Sequence, residues 1–504
     1  MLLIPSGFTG SSKTPRVVSE TRYGQGAGNI GEFPRSLLLI GYKGAASTLG
    51  DYEIFDINDQ DEAIASCVAG AELSEMIAVA SQTPGVYGLL KGCAVPEPTA
   101  GTAATATVTF TGTATAGGTI PCWFDEHLCS VDVNVGDTGT SLGDKLEDLV
   151  NAIVNGFCTG ANVAGTMTAT TRHAAARANE HVLWVDKSRL PAGISVAFAG
   201  GTAYGNGAVP FTGGVGTDSA NLTSILAATV GAKYDYSAWA LNEAASIDDI
   251  AAQAAIKAGP TGVGPENPVI GFNGTVSAAV TRSQIMNQVL CQTAWMEGRV
   301  HPAKLAAAMA ALRCVTEAQP NTRYWGNPNH RYNNNQLYGI PPHFKDTQSP
   351  QPAITDVALN GGVTPIISRN GIAVVCRSIT SRSLNGSNPD YRTLDTGTSM
   401  TPQRIREDLD TLWTESHAVE NPTVGPDLPN GESPPPGRST PANWGAEIKG
   451  RLIIAEQDGL LIDVEGNPPA VEYNTTLKCL ISNVPTVVQP LNHQTGTVIR
   501  QIPA

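Results

Sequence analysis

The chain has 504 residues, is 41% hydrophobic and only 15% charged, and carries 53 glycines and 34 prolines. That length suits about three domains and a large core built without disulfides or metals. A formal charge of −14 argues against a nucleic-acid partner, because phosphate binding needs a basic surface.

The opening "MLLIPSGFTG" lacks a basic n-region and is expected not to be a signal peptide. No stretch approaches the roughly 18 apolar residues of a spanning helix, so no membrane insertion is expected. Residues 1–32 are polar and Gly-rich ("RYGQGAGNIGEF") and read as an N-terminal arm, frayed or ordered on a partner. From Phe33 the pattern changes: "RSLLLIGYK" is a buried strand. "DQDEAIASCVAGAELSEMIAVASQT" has helical apolar spacing at Ile64, Val68, Leu73 and Ile77.

Between about Pro96 and Gly216 the composition turns to Thr, Ala, Val and Gly. Short strands are predicted at "ATATVTFTG", "GTIPCWFD", "LCSVDVNV", "GTMTATT", "HVLWVD" and "GISVAFAG". A helix from Ser141 to Ile153, with Leu142, Leu146, Leu149 and Ile153 on one face, interrupts them. This predicts a β-rich module spliced into an α/β unit. Alternation then resumes with "ANLTSILAATVGA" (helix), "YDYSAWAL" (strand), "SIDDIAAQAAIKAG" (helix) and "NPVIGFNG" (strand). "HPAKLAAAMAALRCVTEA" is a further helix with Leu305, Met309 and Leu312 on one stripe.

From about residue 350, "ALNGGVTPIISRNGIAVVCRSIT" reads as short strands divided by Asn-Gly turns. In "TPQRIREDLDTLWTE", Thr401 is placed as a cap, Pro402 at the first helical position, and Ile405, Leu409, Leu412 and Trp413 on the buried face. The Pro-rich 421–443 reads as a surface excursion. "EIKGRLIIAEQDGLLIDVEG" and the alternating "AVEYNTTLKCLISNVPTVVQPL" are expected to supply strands before a terminal tail.

Motifs for chemistry fail on context. Gly26-Ala27-Gly28-Asn29-Ile30-Gly31 fits G-x-G-x-x-G, but no strand precedes it and no helix follows. Gly139-Thr140-Ser141-Leu142-Gly143 fits a nucleophile elbow, yet Ser141 also stands where a helix cap belongs, with Asp144 three residues on. The strand before it alternates as an exposed antiparallel strand would. No Gly-Lys or His-Glu dipeptide occurs, and "DIND" lacks the rest of a calcium loop. His127 and His181 each follow a Glu, a pattern that reads as solvated pairing. The nine cysteines, an odd number without C-x-x-C, are expected to be reduced, mostly buried cytoplasmic thiols. No catalytic, cofactor or metal residues are assigned. Between Arg369 and Arg406 six arginines face two acids, Asp390 and Asp395. Surface pairing or contact with an acidic neighbour would each account for that bias.

The series "LNGGVTPI", "NGIAVVCRSITS", "NPDYRTLDT" and "TPQRIREDLDTLW" resembles the C-terminal domain of contractile phage tail sheath proteins, particularly the Mu-like group. The "LLLIG" strand, the "VTFTGTATAGGTI" opening of the insertion, "YDYSAWAL" and the Ala-rich helix at 302–317 agree in order. Most of residues 33–485 is covered, as a sequence of weak motifs; the Pro-rich loop departs from the pattern.

The resemblance implies an α+β / α/β multidomain, non-enzymatic subunit. Its parts would be an arm (1–32), a discontinuous α/β core (33–95 and 217–349), an inserted outer domain (96–216), a tube-side assembly domain (350–484) and a C-terminal arm (485–504). Such subunits stack as six-fold rings around a tail tube, contact baseplate and tail terminator proteins, and contract without nucleotide hydrolysis to drive the tube through the host envelope. The place of action would be a virion tail assembled in the bacterial cytoplasm. Strand exchange between neighbours would fall on Tyr23, Ile30, Val487, Val488, Leu491, Val498 and Ile499. Tube- or neighbour-facing charges would be Arg377, Arg382, Arg392, Arg404 and Arg406. Another virion structural protein (tube or capsid component) and an α/β hydrolase using Ser141 are the alternatives.

Overall fold

A computed structural model describes residues 35–259, 262–317, 336–390, 393–414, 423–476 and 478–488. They form a mixed α/β structure in two compact units, one of Pro34–Ala318 with Arg331–Thr396, the other containing Gly397–Ala504.

In the larger unit the chain enters through β1 (Leu37–Tyr42), β2 (Glu53–Asp56), α1 (Gln60–Cys67), α2 (Glu72–Ala80) and β3 (Leu90–Val95). An inserted module follows: β4 (Ala103–Gly112), β5 (Gly118–Phe124), β6 (His127–Val133), α3 (Gly139–Asn151), β7 (Cys158–Val163) and β8 (Thr166–Ala174). It ends with β9 (Val182–Val185), β10 (Ile194–Ala199) and β11 (Val209–Pro210). The chain returns through α4 (Ser219–Thr229), β12 (Tyr236–Trp239), α5 (Ala244–Ala258), β13 (Asn267–Phe272), α6 (Val276–Met286) and β14 (Gln292–Trp295). Then come α7 (Pro302–Glu317), α8 (Pro352–Asn360), β15 (Val363–Arg369) and β16 (Ile372–Val375).

The main sheet has the order β16-β15-β14-β13-β12-β1-β3-β2. Its inner strands run parallel, and β2 and β16 close the edges antiparallel. Parallel strands covered on both faces need continuous apolar runs, and Leu37 to Ile40 are all fully buried. Leu38, Ile40 and Tyr42 pack with residues of α4, α5 and α6. The opposite face lies on α2 and α7. Helix α7 is buried around its whole circumference from Ala303 to Leu312. A single Leu305–Met309–Leu312 stripe therefore understates it: apart from Lys304, Ala fills the remaining positions and lets the helix lie close to the sheet and to α2 together.

Three expectations are corrected here. The apolar spacing across 59–83 is two helices, because Val68 (φ 75°) and Gly70 (φ 79°) turn the chain between them. A Cβ on Gly70 would sit 2.2 Å from the Gly156 carbonyl, so this approach requires glycine. Asn360 ends a helix rather than opening a turn between strands. The hairpin that follows joins the core sheet, β15 pairing with β14, so the core extends past the expected boundary at 350. Its Asn370-Gly371 turn has φ of 53° and 75°, the I′ geometry that tight hairpins favour.

The module consists of two antiparallel sheets, β10-β4-β8-β7 and β11-β9-β5-β6, around one core. In β4 the alternation is strict: Ala104, Ala106, Val108 and Phe110 point inward between threonines. Leu142, Leu146 and Val150 of α3 complete that core, while Leu149 is 37% exposed.

Leu384–Asn385 (β17) and Asn388–Pro389 (β18) form a small ladder near the end of this unit. The helix α9 (Thr396–Leu412) begins five residues before the expected Thr401 cap, with Pro402 inside it. Thr401 Oγ1 donates to the Gly397 carbonyl at 2.9 Å.

In the C-terminal unit the ends of the Pro-rich excursion are held by Thr423–Val424 (β19) against Arg438–Ser439 (β20). Residues 447–457, the first part of the stretch expected to supply strands, belong instead to helix α10 (Pro441–Gln457). Thr440 and Asn443 make its capping box, and Trp444, Ile448, Leu452 and Ala455 line its buried side. Start signal and i, i+4 spacing together outweigh the β-branched pair Ile453-Ile454. The antiparallel hairpin β21 (Ala470–Asn474) and β22 (Cys479–Asn483) shares a core with α9 and α10.

Candidate functional site

Strand order reverses between β1 and β12, since the chain passes outward to β3 and later returns through β12 to β15. In open α/β sheets, ligands bind in the crevice beyond the carboxyl ends of the strands at such a switch point. Here the chain fills that place itself. Tyr42 ends β1, and its hydroxyl donates to Asp218 Oδ1 at 2.8 Å while its amide donates to Glu72 at 3.0 Å. A short 3-10 turn of the inserted module, Ala176–Glu180, brings Arg177 over the Tyr42 ring, 4.1 Å from its centroid. The guanidinium donates to Glu72 at 3.0 and 2.6 Å and is bonded to Asp218. Beyond β12 and β13, Asn242 donates to the Glu180 carboxylate at 2.9 Å, and Asn273 to the Glu180 carbonyl at 2.6 Å.

A second ion network adjoins the first. The β5–β6 turn supplies Asp125 and Glu126, and α7 supplies Lys304, whose ammonium lies 2.9 Å from Glu126, 3.0 Å from Glu75 and 3.6 Å from Asp125. Arg299 donates to the Asp125 carbonyl and, at 2.7 Å, to that of Pro342. Asp125 accepts from the Val182 amide at 2.8 Å and faces His181 Nδ1 at 2.6 Å.

Apart from Glu126, whose side chain is 25% exposed, and the partly buried Glu180, these charges are shielded from water, which sets their protonation. Burial alone would raise Glu72, but the charge and hydrogen bonds of Arg177 outweigh it and hold the carboxyl at about 2. Burial pushes Glu75 and Asp125 upward despite Lys304. It also raises Glu180 to about 7, with Asn242 and Arg177 opposing, and lowers Arg299 to about 10. This arrangement locks the module to the core. The side chains of Tyr42, Glu72, Arg177 and Asp218 themselves occupy the switch point.

The sequence-predicted residues fall elsewhere. Arg377 forms a two-pronged pair with Asp395, both bonds 2.8 Å, and Arg382 reaches Asp390 at 3.4 Å. Arg406 lies 3.7 Å from Asp410, one helical turn on. Arg404 is 0% exposed, so it presents no charge at the surface of this chain. The two acids of the arginine-rich window, Asp395 and Asp390, are thus taken up by Arg377 and Arg382.

Val487 accepts from the Ile462 amide at 2.9 Å, and Val488 bridges to Leu461, so the start of the expected C-terminal arm is tied to its own unit. Tyr23, Ile30, Arg392, Leu491, Val498 and Ile499 lie outside the described residues. Ser141 occupies the third position of α3 and forms a capping box with Thr138, the actual cap. Its hydroxyl bonds Thr138 and Asp137, and no imidazole is among its partners. His181 is fully buried, which corrects its reading as part of a solvated pair.

The networks were missed because their members are distant in sequence. A signal was present: Glu72 and Glu75 interrupt an otherwise apolar helix, and Arg172, His173, Arg177, Glu180 and His181 crowd a stretch of the Thr/Ala-rich module.

No protein-family model matches the sequence, and no curated protein does. Among solved structures the chain is similar to a sheath tail protein from Desulfitobacterium hafniense, at 12% identity and a TM-score of 0.45, over 92% of this chain and 93% of that one. It is also similar to a sheath tail protein from Listeria innocua, at 11% identity and a TM-score of 0.45, over 91% and 93% of the two chains.

Proposed function

We propose that the chain is a structural subunit of a contractile tail sheath, which polymerises as stacked six-fold rings around a tail tube and contracts to drive it through a host envelope. The observation that carries a structural over a catalytic role is the switch-point crevice, filled by Arg177, Glu72, Asp218 and Tyr42 of the chain itself. The motif series supports the sheath reading specifically. Its "LLLIG" strand is β1 at the centre of the sheet, its insertion opens with β4, and its "VTPI" and "IAVV" strands are the hairpin β15–β16.

Assembly by strand exchange is supported by edges. Each strand of β21–β22 has only one strand neighbour among the described residues, so its outer main-chain groups can accept an extended segment from a neighbour. Tube, baseplate and terminator proteins would be the partners, and the virion tail the location. No described helix is long and apolar enough to cross a membrane. Deleting 485–504 tests the reading by sedimentation. The account expects folded, monomeric truncated chains where the full chain forms large polymers; polymers of unchanged size from the truncation would refute a C-arm role.

A further inference from the structure

Three histidines meet where the inserted module joins the core. His173 lies on β8, His181 just before β9 and His301 immediately ahead of α7, and one ligand atom from each lies within 4.8 Å of the others. All three are 0% exposed. Neither ring nitrogen of His173 has a hydrogen-bond partner, nor has Nε2 of His181. A buried polar nitrogen left unpartnered is costly, and two such rings side by side point to a shared ligand.

The chemistry of the three rings fits a metal ion. His181 Nδ1 is held by the Asp125 carboxylate at 2.6 Å. That fixes the tautomer with Nε2 unprotonated, the arrangement by which a carboxylate orients a metal-binding imidazole. All three rings are fully buried, which favours the neutral imidazole that ligates a metal. His301 Nε2 lies 3.1 Å from the Arg177 carbonyl, and its Nδ1 accepts from the Ala303 amide at 3.3 Å; binding requires it to release one of these contacts.

We propose that His173, His181 and His301 are ligands of a divalent transition-metal ion of the zinc class, which staples the inserted module to the core. Two ligands come from the module and one from the core, so the ion links them directly. Tetrahedral bonds of about 2.0–2.1 Å place ligand atoms about 3.4 Å apart, so the 4.8 Å limit needs only side-chain adjustment.

The test is cobalt loading of the full chain, refolded after chelation because the site is enclosed. The proposal expects one equivalent of Co²⁺ with tetrahedral ligand-field absorption in the visible, displaced by Zn²⁺. The absorption should be lost in His173→Ala and His181→Ala but kept in His127→Ala. Asp125→Asn, a positioning change, should weaken binding about 10- to 100-fold. Because the wild-type spectrum needs no variant, a wild-type chain that folds yet takes up no cobalt would overturn the proposal, as would absorption that survives both histidine substitutions.

Discussion

Arg177→Met removes the cation that anchors the module. The guanidinium has 2% of its side chain exposed and its partners Glu72 and Asp218 have 0% and 1%, so the substitution leaves two carboxylates buried away from bulk solvent. Breaking a buried pair from one side costs about 3–5 kcal/mol. At roughly 2–4 °C per kcal/mol for domains of 150–250 residues, the fall in melting temperature is about 6–20 °C, toward the low end for a larger unit.

Linkage gives a second readout. Glu72 is held at about 2 against an ordinary 4.5, so it contributes stability above about pH 4.5 that is lost as pH falls toward 2. In Arg177→Met that contribution disappears, and burial raises Glu72 instead. Guanidinium unfolding across pH measures both effects. The triple variant Arg177→Met/Glu72→Gln/Asp218→Asn should recover most of the loss, since neutral replacement of a buried ionic set costs little. A single variant within about 1 kcal/mol of wild type, or a triple variant no better than the single, would refute the anchoring argument.

Other outcomes follow from the same packing. His343, lowered by burial from 6.5 to about 4, contributes stability that is intact above pH 6.5 and lost as pH falls toward 4, in all about 3 kcal/mol. His343→Leu should flatten that part of the stability–pH curve, and an unchanged slope would contradict it. A Cβ on Gly271 would lie 1.9 Å from the Pro302 carbonyl, so Gly271→Ala should force β13 from α7 and cost about 1–3 kcal/mol or more. An unshifted thermal midpoint would show that the backbone yields there. Ser141→Ala should cost about 0.5–1.5 kcal/mol through the lost capping-box bond from the Thr138 amide and leave hydrolysis of an activated ester at the wild-type background. Ester turnover that depends on Ser141 would instead revive a nucleophile.

What the sequence made legible was set by local signals. The apolar run at Leu37–Ile40, the alternation in β4 and the Asn370-Gly371 turn each specify their element within a few residues. Helix α10 was misread because Ile453-Ile454 favours strand locally, while the capping box at Thr440 lies more than ten residues upstream. The junction was illegible for a different reason: Glu72, Asp125, Arg177, Asp218 and Lys304 are brought together only by the crossover from β3 through the module to α7. Charge counting in a window found Arg377 and Arg382, whose partners Asp395 and Asp390 lie within 18 and 8 residues.

Negative-stain electron microscopy of the purified full-length chain tests the central claim most directly. The account predicts six-fold rings or hollow tubes formed by the protein alone. A strictly monomeric chain at high concentration, with no ring or tube on any grid, would contradict it.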